Sequence, residues 1–139
     1  MENNKTARIQ VVLCEPGKKA RVTSINNSLA SMQSIVKGYV EVIYPFQDPV
    51  AIICNEEGKL NGMELNRALR NEDGNIYDII AGPFFLANCS GDDLSSLSKE
   101  QQEKYAMLFE YPEAFLRVGT EIHSFKIEPR KDSRTHKHR

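Results

Sequence analysis

The sequence predicts an α+β domain with a mainly antiparallel sheet and two or three helices. Three observations carry this. Segments of strand length, apolar or alternating, follow one another in runs and are separated by Gly, Pro and Asn. Helical spacing of apolar residues is inserted only two or three times. The chain has 139 residues, enough for one domain with a real core and too few for two comfortable ones.

The elements follow in order. Arg8–Cys14 is β-branched and apolar enough for a strand, Glu15–Lys18 is a turn, and Ala20–Ile25 alternates as a second strand. Asn26, Asn27 and Ser28 offer caps for a helix. Leu29, Met32, Ile35 and Val36 recur at helical spacing, and Gly38 stops it. Tyr39–Tyr44 alternates as a strand, Pro45–Pro49 is a loop, and Val50–Cys54 is a short buried strand. Met63–Leu69 has no single period; a short helical turn or irregular crossing fits as well as a strand. Ile76–Asn88 reads as one long strand region broken by Gly82-Pro83. Ser98 and Gln101 form a capping box ahead of a helix whose apolar stripe is Tyr105, Leu108 and Phe109, with Pro112 ending it. Glu121–Ile127 is a candidate last strand.

Composition narrows the function classes. Hydrophobic residues at 40% and charged residues at 27% describe a soluble globular chain. No run of eighteen apolar residues is present to cross a membrane, and the polar N-terminus lacks a secretion signal, which predicts a cytoplasmic protein. Cys14, Cys54 and Cys89, odd in number and widely spaced, fit buried thiols in a reducing compartment. Residues 129–139 carry five Lys/Arg against one Asp, so the net charge of −1 divides into a +4 tail and a −5 body. We therefore expect one domain over residues 1–128 and a basic, disordered tail over 129–139. The acidic body speaks against a dedicated nucleic-acid surface.

A six-residue idiom occurs twice: Asn55–Leu60 (NEEGKL) and Asn71–Ile76 (NEDGNI). Both copies read as turns in which Gly58 and Gly74 supply positive φ. Nucleophilic catalysis and metal binding find no motif: there is no GxSxG, HxH, HExxH or CxxC in the body, and His123 is its one histidine, so neither catalytic residues nor cofactors are expected. His136 and His138 fall in the tail. The remaining polar and aromatic set is Asn61, Asn66, Arg67, Arg70, Phe84, Phe85 and Asn88. Arg offers a planar five-donor fork for phosphate, Asn donates and accepts for ribose hydroxyls, and Phe stacks on bases. The same residues have a structural reading. Phe84 and Phe85 suit a core strand, and Arg67 and Arg70 suit pairing with Glu64 or Asp73.

Four stretches carry a resemblance: EPGKKARV, VKGYVEVIYPF, DPVAIICNEEGKLNGMELNRAL and DGNIYDIIAGPFFL. Together they resemble a family of small domains of unknown function found in phages, prophages and mobile elements of Gram-positive bacteria. The resemblance covers about residues 8–116, with Val50–Leu86 its most specific block. It implies a phage accessory protein acting in the infected host, and it carries no catalytic motif. In size, acidity and lack of catalytic apparatus the chain is also similar to the first family of Thoeris anti-defence sponges, which bind cyclic ADP-ribose-type signals. That similarity implies a non-enzymatic protein that sequesters a nucleotide-derived signal. A chain this small has limited room for such a pocket, so one completed by a homo-oligomer is expected. The alternative is an inhibitor that binds a host defence enzyme through an acidic face made of Asp92, Asp93, Glu100, Glu103, Glu110 and Glu113.

Overall fold

The computed structural model describes residues 7–130. Its strands are β1 (Arg8–Cys14), β2 (Arg21–Asn26), β3 (Val40–Ile43), β4 (Val50–Asn55), β5 (Leu65–Arg70), β6 (Ile76–Ala81), β7 (Phe84–Asn88), β8 (Glu113–Val118) and β9 (Glu121–Lys126). Two helices, α1 (Leu29–Val36) and α2 (Lys99–Leu108), interrupt them. The α+β class and the antiparallel sheet therefore stand, with two helices among the described residues, and strand predominates over helix.

Five strands form the main sheet in the order β2-β1-β7-β4-β3, every pair antiparallel. Alternation sorts the central strands onto two faces. Val12, Cys14, Ile52, Cys54, Phe84 and Leu86 share one apolar cluster with Tyr105 and Phe109 from the α2 region and Leu69 and Ile80 from β5 and β6. Val11, Leu13, Ala51, Ile53, Phe85 and Ala87 share the other with Met32 and Val36 of α1. Coverage on both faces explains why β4 and β7 read as continuous apolar runs. Phe84 and Phe85 are fully buried on opposite faces, and each contributes roughly 1.5–3 kcal/mol of transfer free energy.

The helix ends follow local chemistry. Ser28 accepts from the Ser31 amide at the start of α1, and Ser98 with Gln101 closes the expected capping box on α2. The end of α1 differs from expectation. Lys37, not Gly38, takes the left-handed conformation, at φ 66°, and the Lys37 and Gly38 amides both return to the Gln33 carbonyl. Gly38 is needed for closeness: a Cβ there would lie 2.7 Å from Asn55 Nδ2.

One open reading is decided and one expectation corrected. Of the alternatives for Met63–Leu69 the strand is the one formed, as β5 from Leu65 onward, and its polar Asn66 and Arg67 are buried, which conceals its period. Ile76–Asn88 is two strands in different sheets: β6 pairs with β5, and β7 crosses into the centre of the main sheet. The strand β8 was not expected at all, because its apolar side chains Leu116 and Val118 face outward. Residues 131–139, most of the expected basic tail with His136 and His138, lie outside the described residues. Its first cation is fastened down: the Arg130 amide donates to the Gly17 carbonyl at 2.6 Å, and its guanidinium pairs with Glu64.

Candidate functional site

Two hairpins stand beside the main sheet, β5–β6 and β8–β9. The first turns at the second copy of the six-residue idiom, where Gly74 has φ 84° and the Asn71 amide closes onto the Asn75 carbonyl. The second turns on the two residues Gly119-Thr120. What the two idiom copies share is the leading Asn. Asn55 Oδ1 accepts from the Glu57 amide at 2.8 Å, and Asn71 Oδ1 from the Asp73 amide at 3.0 Å. Asn55 also caps the end of α1 through the Val36 and Lys37 carbonyls. The glycines differ, correcting the expectation that both take positive φ. Gly58 does not; it is held close, and a Cβ there would lie 2.7 Å from the Ala81 carbonyl oxygen.

Glu113 joins the two hairpins. Its side chain is only 6% exposed, and its Oε1 accepts from the Ala68 amide at 3.4 Å, from Arg70 at 3.2 Å and from the Ser124 hydroxyl. Between the hairpins opens a cleft of about 980 Å³, walled by Lys59 and 74–79 on one side and by Arg117 and 120–124 on the other. Arg70 lines it too. Lys59 is paired with Asp78 at 2.9 Å, Arg70 with Glu113 at 3.2 Å, and His123 lies 3.5 Å from Glu121. Of the cleft's cations, Arg117 has no carboxylate partner among the described residues. The cleft therefore has two exposed guanidinium groups in its lining, with donors left to offer.

The sequence-predicted set does not converge there. Arg70 lines the cleft. Asn61 is exposed in the loop before β5 and lines none of the cavities described here. Asn66 and Arg67 are buried, at 1% and 0% exposure, and satisfy each other and the backbone. Asn66 Nδ2 donates to the Cys14 and Gly82 carbonyls at 3.0 and 2.8 Å, and its Oδ1 accepts from Arg67 at 2.7 Å. Arg67 also donates from Nε to the Phe109 carbonyl at 3.0 Å and from NH2 to the Lys18 carbonyl at 2.7 Å. Burial lowers its pKa, and the nearby Cys14 and Glu113 oppose that shift. Of the two arginines expected to offer one that faces a pocket, Arg70 lines the cleft and Arg67 does not: its fork ties β5 to the β1–β2 turn and to the end of α2. Phe84 and Phe85 are core, with Phe84 edge-on to Phe109 at 5.6 Å. Asn88 organises its own loop, bonding Gln101, Ser90 and Ser95.

The acidic set is also divided. Glu113 is turned inward, and Glu110 is paired with Lys19 at 3.2 Å. Burial pushes the Cys14 thiol up to about 12, against the pull of Arg67. Cys54 rises to about 11 through burial, then Glu41 and Asp78, with Lys59 opposing. Both thiols are therefore protonated and poor nucleophiles near neutral pH. Among the described residues no cluster of His, Cys, Asp and Glu is spaced to hold a metal ion, and no helix is long and apolar enough to cross a membrane.

Fold and site together define a small layered α+β domain, helix on sheet on helix and hairpin, with a cleft of mixed charge between accessory hairpins, lined by Lys59, Arg70 and Arg117 and by Asp78 and Glu121. Residues 9–110 match the family described as a domain of unknown function, DUF3846, and the chain belongs to that family. No curated protein and no solved structure matches it. The family match ends before β8. The β5–β6 wall of the cleft thus falls within the family domain, and the Arg117 wall falls outside it.

Proposed function

We propose that the chain is a binding protein that captures a nucleotide-derived signal of the cyclic ADP-ribose type between its two hairpins and withholds it unaltered. On this reading it is a phage anti-defence protein at work in the cytoplasm of an infected bacterium. The observation that supports it is the cleft itself. Two guanidinium groups, Arg70 and Arg117, line one concavity of about 980 Å³, and Arg117 has no carboxylate partner among the described residues. Guanidinium donors are suited to the oxygens of a pyrophosphate. The volume falls in the range of small-molecule sites, about 300–1,000 Å³.

Sequestration needs tight binding, with Kd near or below nanomolar, or roughly −12 kcal/mol. A cleft this open loses much of its Coulomb energy to solvent. Assembly into a homo-oligomer that closes the cleft is therefore part of the proposal. The test is direct. The purified full chain is incubated with filtrate from cells producing such signals, washed and heat-denatured, and the supernatant is weighed by mass spectrometry. A released nucleotide of unchanged mass is expected. An empty protein that retains one host polypeptide overturns the proposal in favour of an inhibitor of a host enzyme, and a ligand of altered mass overturns it in favour of catalysis.

A further inference from the structure

A smaller cavity of about 100 Å³ shares two lining residues with the cleft, Arg70 and Tyr77. Its other walls are chiefly apolar: Pro45, Phe46, Leu108 and Phe109. Tyr77 is 55% exposed and Leu108 is 56% exposed, a large outlay of apolar surface at the mouth of a slot. The slot's inner wall is fixed, because Phe46 packs on Tyr105 at 4.8 Å and on Phe109 at 6.4 Å between ring centres. The two cavities differ in chemistry. The cleft is lined by charged side chains of both signs, with Arg117 unpaired by a carboxylate among the described residues, and the slot is lined chiefly by aromatic and aliphatic side chains, with the Arg70–Glu113 pair as its charged members. A volume of about 100 Å³ admits one planar ring system and falls well short of the ~300 Å³ at which whole-ligand sites begin.

Resting on the reading of the cleft as an anion site, we propose that the slot is its ring-binding subsite. The base of the captured nucleotide lies against Tyr77 between Phe46 and Leu108, and its phosphates pass Arg70 into the cleft towards Arg117. The ligand class is then narrowed to molecules in which an aromatic ring and a phosphate are separated by about one sugar. Simple phosphates occupy only half of the site.

The experiment titrates the full chain with two probes, ADP-ribose and ribose 5-phosphate, against wild type, Tyr77→Ala, Tyr77→Phe and Arg117→Ala. Stacking on an aromatic side chain carries an affinity factor of about 5- to 150-fold per base. Tyr77→Ala is expected to weaken ADP-ribose by that factor and leave ribose 5-phosphate unchanged. Tyr77→Phe keeps the ring and should bind both probes as wild type does. Arg117→Ala should weaken both. The subsite is overturned if Tyr77→Ala leaves ADP-ribose within twofold of wild type, or weakens both probes equally, while Arg117→Ala still acts. If wild type binds neither probe, the anion site and the subsite fail together. Thermal melts of each variant exclude unfolding as the cause.

Discussion

Replacing Arg67 by alanine separates a structural arginine from a ligand-binding one. The side chain is fully buried and donates at 3.0 Å or less to three acceptors: the Phe109 carbonyl, the Lys18 carbonyl and Asn66 Oδ1. Alanine removes all three donors and leaves the acceptors inside the protein. Each unpaired buried acceptor costs about 1–3 kcal/mol, and water entering the vacated space favours the lower figure. The expected loss is about 3–5 kcal/mol, a large fraction of the roughly 5–15 kcal/mol that stabilises a typical domain. Near 4 °C per kcal/mol, that lowers the melting temperature by roughly 12–20 °C. Arg67→Lys keeps the charge but not the fork, and should lose about half as much. Thermal and urea denaturation of the ligand-free protein, each followed by far-UV circular dichroism, read the effect. A variant that melts within about 2 °C of wild type would refute the assignment of Arg67 as a tie between β5, the β1–β2 turn and α2.

Other predictions test neighbouring parts of the account. Gly58→Ala places a Cβ 2.7 Å from the Ala81 carbonyl oxygen, and should destabilise the fold by about 1–3 kcal/mol in the same urea assay. Native Cys14 and Cys54 should resist a thiol reagent at pH 8 and react once the chain is unfolded; rapid native labelling of either would contradict their burial. The folded pKa of Cys14 is raised from its ordinary 9.0 to about 12. The native state therefore holds this proton where the unfolded chain has lost it, and stability should fall from pH 9 towards 12. The slope from this group is at most about 1.4 kcal/mol per pH unit, and Cys14→Ala should remove it. Light scattering of the full chain with cyclic ADP-ribose should give a mass above one protomer, and a strict monomer with and without ligand would contradict closure of the cleft by a second copy.

Most of the main sheet was legible because its signals are local. Apolar β-branched runs flank turn residues at Glu15–Lys18 and Pro45–Pro49, and the capping box at Ser98 has one reading. Legibility failed where tertiary satisfaction overrode pattern. Asn66 and Arg67 are polar residues in the interior, and each is the other's partner; no local pattern reveals that a buried guanidinium ends on carbonyls 42 and 49 residues away. In β8 Glu113 lies inside with half-buried Phe115 while Leu116 and Val118 lie outside, so no alternation of apolar and polar residues marked the strand. The site suffered most. Arg70 was found in the sequence, but Arg117, Tyr77 and the 120–124 wall were not. A usable signal was present in Arg117-Val-Gly-Thr-Glu-Ile122, where Gly-Thr between alternating residues marks a two-residue hairpin loop.

The central claim is that the cleft between the hairpins holds a nucleotide-derived anion. Calorimetric titration of the full chain with cyclic ADP-ribose, beside Arg117→Ala, tests it most directly. Arg117 is exposed, so its charge-assisted contact falls at the low end of the usual range, about 1.5 kcal/mol, or roughly tenfold in affinity. The account predicts saturable binding to wild type, weakened about tenfold by Arg117→Ala at an unchanged melting temperature, with the ligand recovered intact. No saturable heat from wild type, or equal affinity in the two proteins, would contradict it.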